Sequence, residues 1–479
     1  MSPMPEQRNT GTEASAPLDR STVVALIAMA LGVFVIANDF TALSVAIAPI
    51  EADLGTTLNR AQWVINGYTV VFGVLIVTGG RVADTVGRRR TFLVGATIFA
   101  AFSAVGAVAP NIEVLIAARA AMGLGGALVW PAVLGMVYAV LPDDRAGLAG
   151  GLVIGVAGLG NAMGPMIAGA LTDAFSWRWI FVVNLPVAAV AMFATWRNVP
   201  ESELGERTGF DWRGVGVLSV SVIAVLVALD IGSEDGFDSV GVITAVVGGV
   251  VLFAAFVALE RRTGPSALVP QRVMASRRFT GAVLSVVLLS AIYFGVLLYI
   301  PQFTQRELGW SALGAGAGLL PLMLVFAVTS WFAGRWYDRL GARTLVGGGA
   351  ACLTIGVLWL AVTITSGSGY PVLVPGLVVA GIGVGSFYSA ITTAAVTALD
   401  PDDASLAGGI IYMGNVAGGS LGLGLNTAIV VSASSLVDGI RNAFLVDAAL
   451  GAVGTVVAIT LVGGGRFHLR HHRYARAHG

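Results

Sequence analysis

The chain has 479 residues, 56% of them hydrophobic and only 11% charged, and its 27 acidic and 27 basic side chains cancel. Soluble globular proteins carry roughly 25% charge, so a soluble domain is excluded, and so is a disordered chain. The single cysteine, Cys352, excludes a disulfide scaffold, and zero net charge leaves no electrostatic footprint for nucleic acid.

Residues 1–21 are polar, contain Pro3, Pro5 and Pro17, and read as a disordered cytoplasmic tail. They lack the short apolar core and cleavage site of a signal peptide. Fourteen apolar runs follow, at 22–49, 62–80, 91–109, 112–140, 146–172, 179–196, 214–231, 239–259, 279–301, 311–333, 344–364, 371–398, 405–432 and 443–465. A membrane helix needs about 20 such residues. The runs are too evenly apolar for barrel strands, which leaves helices as the spanning structure. The expected fold is an all-α membrane protein with 14 transmembrane helices. Residues 22–200 form an N-terminal six-helix bundle, and 201–277 form a linker with two inserted helices. A C-terminal six-helix bundle occupies 278–465, and 466–479 are a basic cytoplasmic tail.

Arginine placement sets the orientation. With the N-terminus inside, 22 arginines fall on the inner side and 4 on the outer, leaving Arg119 inside a span. The positive-inside rule therefore puts both termini in the cytoplasm of a multi-pass protein of the cell (inner) membrane. An internal repeat supports the two-bundle reading. Gly80 to Gly87 recurs as Gly334 to Gly341 at an offset of 254, and Pro142 to Gly151 recurs from Pro401 to Gly409 at 258 to 259. Parallel six-span repeats are a transporter pattern.

Two absences narrow the chemistry. There is no lysine, so no phosphate-binding Walker loop. The histidines (His468, His471, His472 and His478) all lie in the last 12 residues, so no span offers one for zinc or Ser-His chemistry. Gly418 to Gly422 fits a GxSxG pattern but lacks a base. No enzyme activity, metal or cofactor is expected, with the proton gradient as energy source.

Ionisable residues inside spans are costly and mark function. Asp39 lies about 17 residues into the first run, roughly 26 Å at 1.5 Å per residue. Arg119 lies in the fourth run. Burial raises a carboxylate's pKa and a nearby arginine lowers it. A carboxylate whose neighbours move during a cycle therefore loads and releases a proton. Asp39 and Arg119 are assigned to proton coupling, at one proton per cycle. Asp447, about six residues from Arg441, is read as interfacial. Gating is assigned to Gly80, Asp84, Gly87 and Arg88 in the loop 80–90, to Asp338 in its repeat, and to Gly155, Gly164 and Pro165 in the fifth run, where glycine allows close packing and proline a kink.

These residues resemble the fourteen-span drug/proton antiporter family of the major facilitator superfamily. Gly80 to Arg90 is similar to the superfamily's loop motif. Leu115, Arg119, Gly123 and Gly125 resemble the span-4 proton-relay motif, with Met122 where glutamine is usual. Gly155 to Gly169 resembles the span-5 antiporter motif. Asp39-Phe40-Thr41 resembles the span-1 motif, and Trp177 to Pro186 the segment leading into span 6. The resemblance implies export of lipophilic or cationic compounds in exchange for protons. Candidate substrate-lining residues are Asn66, Tyr68, Phe72 and Trp130 in the first bundle and Tyr293, Phe387, Tyr388, Tyr412 and Asn415 in the second, suited to flat molecules by stacking and cation–π contact. The partners expected are a small-molecule substrate, protons and membrane lipids, with no nucleic acid, and the chain is expected to be monomeric. Two alternatives stand beside this: a dedicated exporter of one endogenous lipid, siderophore or antibiotic, and a passive channel or sensor. The lysine-free, Ala-, Gly-, Val- and Arg-rich composition points to a GC-rich bacterial genome.

Overall fold

The computed structural model describes residues 19–140, 146–201, 211–236, 239–263, 275–396 and 404–462, with 267, 273 and 398. Among them there is no strand. The first bundle comprises α1 (Arg20–Ala42), α2 (Ile47–Leu54), α3 (Leu58–Val86), α4 (Arg88–Ala107), α5 (Ile112–Val140), α6 (Ala146–Ala174) and α7 (Trp179–Asn198). α8 (Trp212–Asp235) and α9 (Val240–Thr263) follow. The second bundle comprises α10 (Arg277–Arg306), α11 (Ala312–Ala317), α12 (Leu320–Leu340), α13 (Ala342–Thr363), α14 (Val374–Val396), α15 (Ala404–Val431) and α16 (Leu436–Val457). Twelve spans among the described residues are long and apolar enough to cross a membrane, and α8 adds a shorter apolar stretch, Trp212–Ala228.

Helix starts follow capping chemistry. Asp19, Thr57, Ser276, Ser311 and Ser435 each accept a backbone N–H of the following first turn. The ends depart from the apolar runs, because a helix leaving the membrane keeps its backbone bonds and is not stopped by charge. The expected loop 80–90 is thus helix on both sides of one residue, Gly87, whose φ of 109° only glycine adopts readily. Gly341, at φ 78°, makes the same one-residue reversal between α12 and α13. Asp84 accordingly sits in the last turn of α3 and not at a helix start.

Proline frees carbonyls, and the packing answers them. Pro165 inside α6 has no N–H for the carbonyl of Asn161. Thr41 of α1 supplies the donor instead, with its Oγ1 2.9 Å from Asn161 O. Pro131 inside α5 likewise frees the carbonyl of Ala127. Gly79 of α3 rides on that carbonyl so closely that a Cβ would lie 2.0 Å from its oxygen. A small residue is therefore required where α3 meets α5.

The two bundles meet along α3 and α15, where Gly73 packs on Val416 and the hydroxyls of Thr69 and Ser420 are hydrogen-bonded. α8 packs on that same pair of helices as well as on α9. Ser221 of α8 donates to Gly249 O of α9 at 2.8 Å. α9 leaves Val240, Val250, Val251 and Phe253 exposed on its far side.

Gly79→Ala forces α3 and α5 apart. Overpacking of this kind costs about 1–3 kcal/mol, so the purified variant should unfold at lower temperature than wild type in a thermal scan.

Candidate transport site

Five helices of the first bundle converge on one ion pair. Asp39 of α1 is 0% exposed and Arg119 of α5 is 1% exposed. Arg119 Nη1 donates to Asp39 Oδ2. Its Nε donates to Val64 O of α3 at 3.1 Å. The second carboxylate oxygen accepts from Asn184 Nδ2 of α7 at 3.1 Å. The same amide lies 3.2 Å from Ser103 Oγ of α4, and that hydroxyl donates to Phe181 O at 2.9 Å. Beneath the guanidinium is the ring of Tyr68, its centroid 4.3 Å from Arg119 Cζ. Met122 Sδ lies 3.9 Å from Arg119 Nη1, where a glutamine would offer a stronger acceptor. Both oxygens of Asp39 are thus answered, the condition under which a buried charge is tolerated.

Tyr68 also belongs to an aromatic cluster. Its ring stacks on Phe72 at 5.7 Å, and Phe72 meets Tyr412 at 5.8 Å and Trp130 at 6.3 Å. Trp130 and Tyr412 stack across the two bundles at 4.9 Å. Phe40, next to Asp39, touches Tyr68, Phe72 and Phe294. From Phe294 the rings continue through Tyr293 and Tyr388 to Phe387. All seven sequence-predicted aromatics therefore join one network. Phe40 and Phe294 complete it and were not foreseen; the adjacency of Phe40 to Asp39 was the available signal. A small apolar cavity lies beside it, lined by Phe40, Thr41, Ser44, Ile65, Phe294 and Leu423 among others. Asn66 is buried at the seam, 3.5 Å from Ser420 Oγ, whereas Asn415 is partly exposed.

The gating candidates divide. Arg88 donates to Gly135 O of α5 at 2.8 Å, and Arg89 to Val199 O at 3.2 Å, so this turn is anchored within the first bundle. Glu201 occupies the space a side chain at Gly87 would need. Gly80 faces Pro131 at ordinary contact distance. Arg81 instead reaches out of the bundle: it donates to Ala267 O and lies within electrostatic range of Glu260 and Asp211 at the ends of the α8–α9 pair. Gly164 packs α6 onto Thr41 and Asn38 of α1, and Pro165 O faces Gly316 across the bundles. The side chains of Asp84 and Asp338, and residue Gly155, lie outside the described side chains.

At the end of the bundles expected to face outward, the two halves are fastened together. Glu51 pairs with Arg306, and Gln305 Nε2 donates to Val45 O at 3.1 Å. Asp173 accepts from the N–H groups of Ala312 and Leu313 at 3.0 and 2.9 Å. Burial pushes the Glu51 carboxyl up, and Arg306 offsets this in part. In this contact Glu51 therefore takes up a proton more readily than it would in open water.

Asp447 corrects an expectation. It is 0% exposed and accepts from Asn426 Nδ2 at 2.9 Å, so it faces the inside of the bundle and not water at a helix end. The reason is the helix start. α16 begins at Leu436, capped by Ser435, a full two turns before the apolar run. Asp447 is then 11 residues into the helix, about 16 Å from its first residue at 1.5 Å per residue.

Removing one partner of a buried pair costs about 3–5 kcal/mol. Arg119→Leu should therefore lower thermal stability more than Asp39→Asn/Arg119→Leu does, a reversal of additivity that unfolding scans of the variants would detect. With spin labels at the exposed positions Ala52 and Glu307, acidification should populate the short distance. The closed contact gains stability from protonated Glu51 and loses it as pH rises through the raised pKa; Glu51→Gln should remove the dependence.

The Major Facilitator Superfamily family model matches residues 29–366 and 322–473. "Multidrug resistance protein Stp" of Mycobacterium tuberculosis is 32% identical over 419 residues, 87% of this chain and 77% of that one. "Puromycin resistance protein pur8" of Streptomyces alboniger is 32% identical, with 83% and 79% covered. "Methylenomycin A resistance protein" of Streptomyces coelicolor is 30% identical, with 88% of each chain covered. Among solved structures, the peptide transporter POT in complex with sulfate superimposes with a TM-score of 0.66 at 15% identity, covering 91% of this chain and 93% of that chain. With its helical bundles, its glycine-packed seams and matches spanning most of its length, the chain belongs to the major facilitator superfamily.

Proposed function

We propose that the protein is a proton-coupled antiporter that exports small lipophilic molecules, cationic or neutral, by alternating access. In this reading fourteen helices cross the inner membrane, with both termini in the cytoplasm. The observation that carries it is the double role of Tyr68. Its ring lies under Arg119 on one side and stacks on Phe72 in the aromatic cluster on the other. Proton site and substrate site thus share a wall.

The coupling follows from electrostatics. While Asp39 is ionised, Arg119 is held between the carboxylate, Val64 O and the Tyr68 face. A proton on Asp39 removes the Coulomb attraction but leaves the carbonyl and the ring. The guanidinium is then free to shift against Tyr68 and to alter the platform a planar cation would stack on. A substrate on that platform disfavours the same shift, and so favours the ionised acid. Reciprocal coupling of this kind is what exchange requires. One proton crossing 150 mV releases about 3.5 kcal/mol, at about 2.3 kcal/mol per 100 mV. This sustains roughly two to three decades of gradient for a neutral compound, at about 1.4 kcal/mol per decade.

The orientation rests on the arginine distribution, which places the Glu51–Arg306 end outside. The conformation is then closed to the exterior. The relatives named for multidrug, puromycin and methylenomycin A resistance support export of drug-like compounds. The names drawn from a single antibiotic favour a second reading, a dedicated exporter with the same machinery.

The test is proton flux in liposomes containing the purified protein and a pH-sensitive dye. Ethidium should trigger a flux in wild type that Asp39→Asn abolishes. Flux that persists in the variant moves the proton site away from Asp39; no flux with any lipophilic cation rejects drug/proton exchange.

A further inference from the structure

Asp447 is as fully buried as Asp39, but among the described residues no cation pairs with it. Its Oδ2 accepts from Asn426 Nδ2 at 2.9 Å. Its Oδ1 has no hydrogen-bond partner, and neither has the amide oxygen of Asn426. Both residues are 0% exposed. With the carboxylate ionised, two buried acceptors on these bonded side chains each go without a donor. A single proton on Asp447 Oδ1 converts that atom into a donor, and the missing acceptor is the oxygen of the same amide that already bonds Oδ2. Neutral acid and amide can then join by two hydrogen bonds; the anion can make only one. α10 accommodates the pair because residue 295 is glycine. A Cβ there would lie 2.3 Å from Asn426 Nδ2 and 2.7 Å from Asp447 Oδ2.

The ionisable groups on the elements packed against Asp447 are few. α10 carries Arg277, Arg278, Tyr293, Tyr299 and Arg306; α13 carries Arg343 and Cys352; α15 carries Tyr412; α16 itself carries Asp438 and Arg441. Among the described residues none forms an ion pair with Asp447, and Tyr299 lies within its electrostatic range. Tyr299 is within range of Glu51 and Arg306 as well.

Tyr299 marks a route. Residues 295, 299, 302 and 306 of α10 are spaced by four, three and four, which puts them on one helix face. Along it come the Asp447–Asn426 pair, the Tyr299 hydroxyl at 2.8 Å from Thr427 Oγ1, Gln302, and Arg306 with Glu51. Gln302 is 0% exposed and both its amide atoms lack partners. From 295 to 306 the face is about 16 Å long at 1.5 Å per residue. It is a polar track that ends at the contact fastening the outer side.

We propose that Asp447 is a second proton-exchange site, loaded from the Glu51–Arg306 end along this face of α10, so that each transport cycle moves two protons. The inference rests on the antiport reading above. A proton from outer water adds to Oδ1, completing the acid–amide pair. It leaves to inner water once α15 and α16 shift against α10 and the pair is broken. No other reactant is consumed.

The deciding experiment is a zero-flux measurement in liposomes holding the full chain, with potassium and valinomycin clamping the membrane potential at zero. A pH gradient of about one unit is imposed, and the ethidium gradient at which net flux vanishes is recorded. Two protons per ethidium balance about a 100-fold gradient and one proton about a 10-fold gradient, whatever charge the substrate carries. Wild type should stop near 100-fold and Asp447→Asn near 10-fold. Asparagine stands in for the neutral acid, so the site keeps its shape. Gln302→Leu should reach the wild-type end point more slowly, and an unchanged rate would remove the route. A wild-type end point near 10-fold overturns the second site while leaving antiport intact, even if Asp447→Asn fails to fold. A wild type that sustains no gradient overturns the antiport reading itself.

Discussion

Asp39 has one place to keep its charge, and that is against Arg119. An ion of this size costs several kcal/mol to bury even after relaxation. The first bundle is arranged to meet that cost. α5 supplies the guanidinium, α7 the amide of Asn184, α4 the hydroxyl that orients the amide, and α3 the carbonyl of Val64 and the ring of Tyr68. Remove the pair and these groups have no common partner. The bundle is therefore organised about a contact that adds little to stability.

Everything around the pair brings backbones close. Gly79 against Ala127, Gly123 against Tyr68 and Gly164 against Asn38 all place helices at distances a methyl group would forbid. In lipid there is no hydrophobic drive between helices, so close dispersion contact and the occasional hydrogen bond hold them. Thr41 shows how tightly the two are combined: it answers the carbonyl freed by Pro165 and lies two residues from Asp39. A shift of α1 that alters the ion pair must also strain the proline turn of α6, which touches Gly316 in the other bundle. That is a mechanical path between halves made of steric contacts.

Much of this was legible from residue types alone. An acid and an arginine inside apolar runs have few reasons to be there but each other, and their pairing could be anticipated. The glycines of the fifth run marked where α6 packs on α1, whereas Gly73 and Gly79 of α3 were not singled out. The aromatic network was legible as a composition, though Phe40 and Phe294 were hidden among many phenylalanines that merely face lipid. Asn184 was noted only within the segment leading into span 6, and Ser103 not at all, because a search for charge passes over neutral polar groups. Asp447 was misplaced because distance was measured from a charged residue along the chain. Arg441 lies inside α16, and a capped helix carries polar residues in its first turns without ending. The tight reversal at Gly87 was expected, but the helix on either side of it, and of Gly341, was read as loop for the same reason: hydropathy marks where lipid ends, not where hydrogen bonding does.

The position of α8 and α9 has a consequence for the membrane around the protein. α8 lies on α3 and α15, the two helices that form the seam, while α9 presents valine and phenylalanine outward. In the proposed alternating-access cycle the seam opens, and the pair cannot then stay with both partners. Some of its apolar surface must slide through acyl chains, and the bilayer must repack around a changed outline. The work of that repacking depends on hydrocarbon thickness and lateral pressure. In that cycle lipid composition enters the rate of conformational exchange as a mechanical load, applied through two helices that contribute no residue to the ion pair.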